Sequence, residues 1–210
     1  MRVLAMLLTV LAAASPIIAH AQSTAVGAAQ TESGVTLYGG YRFGGELTDI
    51  NTSKSWELTD GASFALAIDF GLNAQSQWGL FISHRASALK ASGFSSVADN
   101  FGLDVTYYHV SGTYFPVQVG RGFYVVGGVG ATRFDPKESG LNSETRLSLN
   151  LGAGYMIPLG RSLGIKLEAR GYATIVESSG SMFCSGGCVV QIKGDTLTQG
   201  EVLAGISARF

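Results

Sequence analysis

Few residues in this chain have the types and spacing that chemistry requires. Cys184 and Cys188, in the run FCSGGC, are its only cysteines. In an exported protein an even pair reads first as a disulfide. The intervening Ser-Gly-Gly can bend enough to bring the two Cβ atoms together. A bridge over so short a loop would stabilise that loop, by about 2 kcal/mol. Zinc is the competing reading, but two thiolates do not make a structural site, and His84 and His109 fall on distant segments. His84, with Ser83 and Ser87 in FISHRAS, raises a hydrolase. A base must lie within hydrogen-bond reach of its nucleophile, and on a regular strand residues 84 and 87 point to opposite faces. The glycines of VVGGVGATRF resemble a phosphate loop, yet no helical pattern follows them. The remaining constellation is ionic: Arg42, Glu168, Arg170 and Glu201. No catalytic, cofactor-binding or metal site is expected.

These residues sit in a chain that carries an export signal. Met1 and Arg2 form a short basic start, residues 3–14 are apolar and uncharged, and Ala19-His20-Ala21 is a small-x-small cleavage site. The apolar core is too short to span a bilayer, and no later run approaches the ~18 apolar residues of a transmembrane helix. The sequence divides into a signal peptide (1–21), a polar lead-in expected to be loose (22–33), and one domain (34–210). Of 14 basic residues one, Arg2, lies in the leader, so the remainder against 15 acidic ones leaves a net charge near −2. Clustered Lys and Arg are lacking, which excludes a nucleic-acid surface. Glycine is abundant, 29 of 210 residues, without the proline or low complexity of disordered chains, and this suits a tightly curved sheet.

Period-2 alternation recurs in eight segments: 35–44, 63–70, 77–85, 103–115, 123–134, 145–157, 163–176 and 197–210. In the last, Val202, Ala204, Ile206, Ala208 and Phe210 oppose Glu201, Leu203, Gly205, Ser207 and Arg209. In the sixth, Leu147, Leu149, Leu151, Ala153, Tyr155 and Ile157 oppose Arg146, Ser148 and Asn150. The fourth places Leu103, Val105 and Tyr107 on the apolar row and Asp104 opposite. Beyond His109 that row would pass to Ser111 and Thr113, so either a bulge flips the parity or small polar residues join the apolar face.

Arg42, Asp69, Arg85, Asp104, Arg146, Lys166, Glu168, Arg170, Glu201 and Arg209 are all read opposite the apolar row. Parity alone does not say which face is inside: a soluble barrel would put its apolar residues in the core. Three observations decide. The signal peptide exports the chain. The connections alternate long (45–62, 86–102, 135–144, 177–196) and short (71–76, 116–122, 158–162), the asymmetry of membrane barrels. Phe70, Trp78, Phe115, Phe123, Tyr155 and Phe210 fall at short-turn strand ends on the apolar row, as an interfacial girdle requires. The expected fold is an all-β, eight-stranded, antiparallel transmembrane up-and-down β-barrel. An interior of this size is just wide enough for side chains. Arg42, Glu168, Arg170 and Glu201 are therefore expected to form a lumenal charge network rather than line a pore.

YGGYRFGGELTD, VVGGVGATRFDP and LEARGYATIVESS resemble a family of small outer-membrane β-barrels of Gram-negative proteobacteria. The architecture is also similar to the membrane domain of outer-membrane protein A and to opacity-type, porin-like barrels. Phe210, with Gly205 before it, looks like the assembly signal of such proteins, and the resemblance implies recognition by the barrel-assembly machinery. It also implies a monomer in contact with outer-membrane lipid and lipopolysaccharide, with long loops extracellular and both termini periplasmic. A structural or adhesive envelope role is expected, with a narrow passive channel as the alternative and a lipid A-modifying hydrolase as a minor one.

Overall fold

The computed structural model describes residues 32–48, 55–91, 100–137, 142–176, 181–182, 190–191 and 196–210. The signal peptide, most of the lead-in and the Cys184–Cys188 pair lie outside the described residues. Eight long strands form the wall: β1 (Gly34–Phe43), β4 (Gly61–Gly71), β5 (Ser76–Ala91), β6 (Asn100–Tyr114), β7 (Gly122–Pro136), β8 (Glu144–Pro158), β9 (Leu163–Ile175) and β12 (Thr196–Arg209). Two short strands, β2 (Glu46–Thr48) and β3 (Ser55–Leu58), extend the sheet beyond the wall where β3 pairs with β5. Two more, β10 (Ser181–Met182) and β11 (Val190–Gln191), make a separate pair.

Each wall strand pairs antiparallel with its sequence neighbour. The ring closes where β1 meets β12, from Gly34 opposite Arg209 to Phe43 opposite Gly200. Closure leaves no wall strand with a bare edge, the condition for a sheet in hydrocarbon. Ser33 completes the seam by exchanging both backbone hydrogen bonds with Phe210, at 3.1 and 2.9 Å. Glu32 and Ser33, read as the end of a loose lead-in, are therefore bound to the barrel.

The wall is inverted relative to a water-soluble protein. Leu37, Phe64, Leu151 and Ile206 are 66–73% exposed, while Arg42, Asp69, Asn150 and Glu201 on the same four strands are buried. Leaving a leucine or phenylalanine in water forfeits about 1.5–3 kcal/mol each, so a belt of them on every strand belongs in a bilayer. Strands of 10 to 16 residues meet or exceed the ~9–11 needed to cross it when tilted.

The fourth wall strand corrects the sequence reading. Its pairing with β5 runs without a bulge from Ser76 opposite Tyr114 to Lys90 opposite Asn100. Leu103, Val105 and Tyr107 face inward together with His109, Ser111, Thr113 and Phe115, and Tyr108, Val110 and Tyr114 face outward. Phe115 accordingly leaves the girdle and packs inside against Tyr124, the rings tilted with centroids 5.0 Å apart. Asp104 leaves the lumenal set: it lies on the outer face and pairs with Lys137 at 3.0 Å. The physical reason is that the lumen is not polar throughout. Inward Leu103 and Val105 cluster with Leu58, Phe134, Val176 and Leu197 in an apolar layer at the long-loop end. Segment 86–102 is also mostly strand, because β5 and β6 continue to Ala91 and from Asn100.

Interior glycines lie where large side chains need room. A Cβ on Gly154 would come within 2.5 Å of the Tyr124 ring, and one on Gly205 within 2.5 Å of the Tyr38 ring. The glycine content thus supplies space for aromatic rings inside a narrow cylinder as well as curvature.

Candidate functional site: the lumenal charge network

Alternation aims Arg42 of β1 and Glu201 of β12 into the lumen, and the seam places them directly opposite each other. Their side chains are 0% exposed, and Nη2 of Arg42 lies 3.0 Å from Oε1 of Glu201. Arg42 Nε donates to the same oxygen at 3.1 Å. Its Nη1 reaches across the barrel to the Val105 carbonyl at 3.3 Å, and its Nη2 reaches the Ser83 hydroxyl at 2.5 Å. Ser83 in turn donates to Glu201 at 2.9 Å, and the Tyr172 hydroxyl donates to its Oε2 at 2.5 Å. The carboxylate is held from three strands. The guanidinium lies 4.6 Å over the Tyr107 ring, which stacks on Tyr172 at 4.1 Å. A buried ion pair must recover its desolvation cost through such added hydrogen bonds, and this one does so from donors on both sides of the cylinder.

Glu168 and Arg170, two apart on β9 and so on one face, form a second pair, Arg170 Nε donating to Glu168 Oε1. The Tyr124 hydroxyl donates to Glu168 at 2.7 Å, and the Tyr38 hydroxyl lies 3.5 Å away. Arg170 sits 3.7 Å over the Phe81 ring. Nearer the short turns, Lys166 of β9 spans the lumen to Asp69 of β4 at 2.6 Å. The three pairs balance in charge. Arg85 donates to the Arg42 carbonyl at 3.0 Å. Arg146 pairs with Glu144 at 2.9 Å at the long-loop rim.

Apolar layers close both ends. Toward the long loops lie Leu58, Leu103, Val105, Phe134, Val176 and Leu197. Toward the short turns lie Phe115, Val119, Tyr124, Val126 and Met156. Val119 enters from the β6–β7 turn, which is tied to the β4–β5 turn by Val119 N–H to Ala74 C=O at 2.9 Å and Phe115 N–H to Gln75 C=O at 2.7 Å. Gly120, at φ +83°, supplies the left-handed residue this turn needs.

The network thus unites Arg42 with Glu201 and Glu168 with Arg170. It also recruits residues that sequence reasoning did not assign to it: Ser83, Tyr107, Tyr124 and Tyr172. Their signal was available, since Tyr124 and Tyr172 share strand parity with inward residues, but a tyrosine suits a lipid interface equally well. His84 faces outward and bonds Thr106 at 2.9 Å. Ser87 bonds instead to Thr59, its hydroxyl donating to the carbonyl at 3.1 Å. The structure therefore does not bring His84 and Ser87 together. Phe210 ends the wall, exposed, at the short-turn end.

A closed, all-antiparallel eight-stranded cylinder with a greasy outer wall and an ion-paired lumen defines the class: the small outer-membrane β-barrel. No protein-family model matches the sequence, and no curated protein matches it. Solved structures do. The chain is similar to Neisserial surface protein A at 14% identity, TM-score 0.53, over 86% of this chain and 100% of that one. It is similar to the outer-membrane protein AlkL at 16% identity, TM-score 0.55, over 92% of this chain and 97% of that one. At such identities the likeness is one of fold.

Proposed function

We propose that this protein is an integral outer-membrane barrel that works through its surface rather than through a pore. The observation that carries the reading is the closed lumen: three charge pairs between two apolar layers, with the central Arg42–Glu201 pair fully buried. Ions crossing this interior would have to separate pairs at low dielectric, where losing one partner costs about 3–5 kcal/mol. The working surfaces are then the outer wall and the long-loop end, for envelope integrity or adhesion. Their partners are outer-membrane lipid, lipopolysaccharide and whatever ligand the loops meet.

The long loops are taken as extracellular and the termini as periplasmic, as the asymmetry of loop lengths in membrane barrels supports. Phe210, outward at the end of β12, is placed for recognition by the assembly machinery. The continuous apolar wall supports a monomer surrounded by lipid. An enzymatic role is not proposed, since His84 and Ser87 are each bonded elsewhere.

Planar-bilayer recording of the refolded protein tests this reading. A sealed lumen gives no steady conductance steps; stable, voltage-independent openings would establish the passive-channel alternative. Antibody or protease access to the long-loop end on intact cells tests the orientation.

A further inference from the structure

At the short-turn end, residues of all three short turns surround a recess of ≈ 740 Å³ together with Glu32 and Phe210, its lining including Arg121, Arg161 and Arg209. Arg209 is structural. Its side chain is 10% exposed and pairs with Glu32 at 2.8 Å. Its Nη2 donates to the carbonyls of Gly160 and Leu163 at 2.8 and 3.1 Å, tying the β8–β9 turn to the barrel. Among the described residues its buried Nε has no hydrogen-bond partner.

Arg121 and Arg161 lie on the rims of two different turns and are exposed. Glu32, the acidic side chain of the recess, is already taken by Arg209. The recess therefore presents two further cations on its rims. Guanidinium forks match carboxylate and phosphate oxygens two at a time. Val119 and the apolar layer behind it form a floor, so a ligand enters from the short-turn side and does not pass through.

We propose that this vestibule binds a small soluble oxyanion, a carboxylate or phosphate group, between Arg121 and Arg161 and above Arg209. The site is separate from the lumenal network. In the orientation proposed above it opens to the periplasm.

The test uses the protein in nanodiscs of phosphatidylcholine, whose headgroup carries no net charge, titrated with inorganic phosphate or glutarate at fixed ionic strength. Amide NMR shifts of Gly120, Arg121, Gly160 and Arg161 are followed. Saturable shifts confined to these turns are expected, with affinity weakened about tenfold or more in the R121Q/R161Q variant and unchanged in Lys137→Gln at the other end. Both arginines are exposed turn residues, so the double variant keeps the fold. Non-saturating shifts, or equal affinity in the double variant, would overturn the proposal. A second arm adds phosphatidylglycerol to the discs without soluble anion. If the same amides then shift, and soluble phosphate no longer competes, the oxyanion is a lipid headgroup and the soluble site is refuted.

Discussion

Arg42 and Glu201 stand opposite each other across the seam where the first and last strands meet, 3.0 Å apart and fully buried. Closure of the barrel and formation of its central ion pair are thus one event. The pair cannot form until β12 has docked on β1, and the seam cannot open without exposing two unpaired charges to a low-dielectric interior.

Removing one partner therefore costs more than removing both. Glu201→Gln should destabilise the refolded protein by about 3–5 kcal/mol, since Arg42 is left buried without its counter-charge. The double variant Arg42→Met, Glu201→Leu should cost less than Glu201→Gln alone. Urea unfolding in lipid vesicles reads both. Equal stability of Glu201→Gln and the unaltered protein would show that the pair contributes nothing to the fold.

The glycine–aromatic contacts make a second prediction. Gly205→Ala puts a Cβ into the Tyr38 ring and should cost about 1–3 kcal/mol, as overpacking does. Pairing it with Tyr38→Leu should recover part of that loss. If Gly205→Ala alone is neutral in the same unfolding assay, backbone curvature rather than ring space explains the glycine.

The outer wall yields a third. Leu149→Arg places a cation on the lipid face and should cost about 2–4 kcal/mol near mid-depth. Thr145→Arg, four residues nearer the long-loop rim on the same face, should cost about 0–1 kcal/mol. A flat response along β8 would mean that this face does not meet hydrocarbon.

Most of the wall was legible because burial acts on alternate residues. Wherever one row of a strand was apolar and the other carried charge, as on β8, β9 and β12, parity separated the two faces, and the signal peptide, loop asymmetry and aromatic girdle set the apolar one outside. Parity failed on β6, where both rows are apolar. Leu103, Val105 and Tyr107 fill the lumen, while Tyr108, Val110 and Tyr114 meet the outside. An interior that is apolar at its ends and polar in its middle changes chemistry along one face, and a fixed rule of polar inside and greasy outside misreads such a strand. Asp104 was misplaced for the same reason; its partner Lys137 lies at the start of the β7–β8 loop, beyond any strand pattern. The pairing of Arg42 with Glu201 followed from barrel closure and strand parity. That of Lys166 with Asp69 did not, because it spans the lumen between strands that are not neighbours in the wall.

The most direct measurement is oxygen accessibility by electron paramagnetic resonance along β6 in lipid bilayers. Single nitroxides are placed at successive positions from Tyr108 to Tyr114, with Cys184 and Cys188 replaced by serine. Accessibility should oscillate with period two and peak at Tyr108, Val110, Gly112 and Tyr114, with minima at His109, Ser111 and Thr113. Peaks on the odd-numbered positions, or no oscillation, would contradict an apolar wall around a sealed, ion-paired lumen.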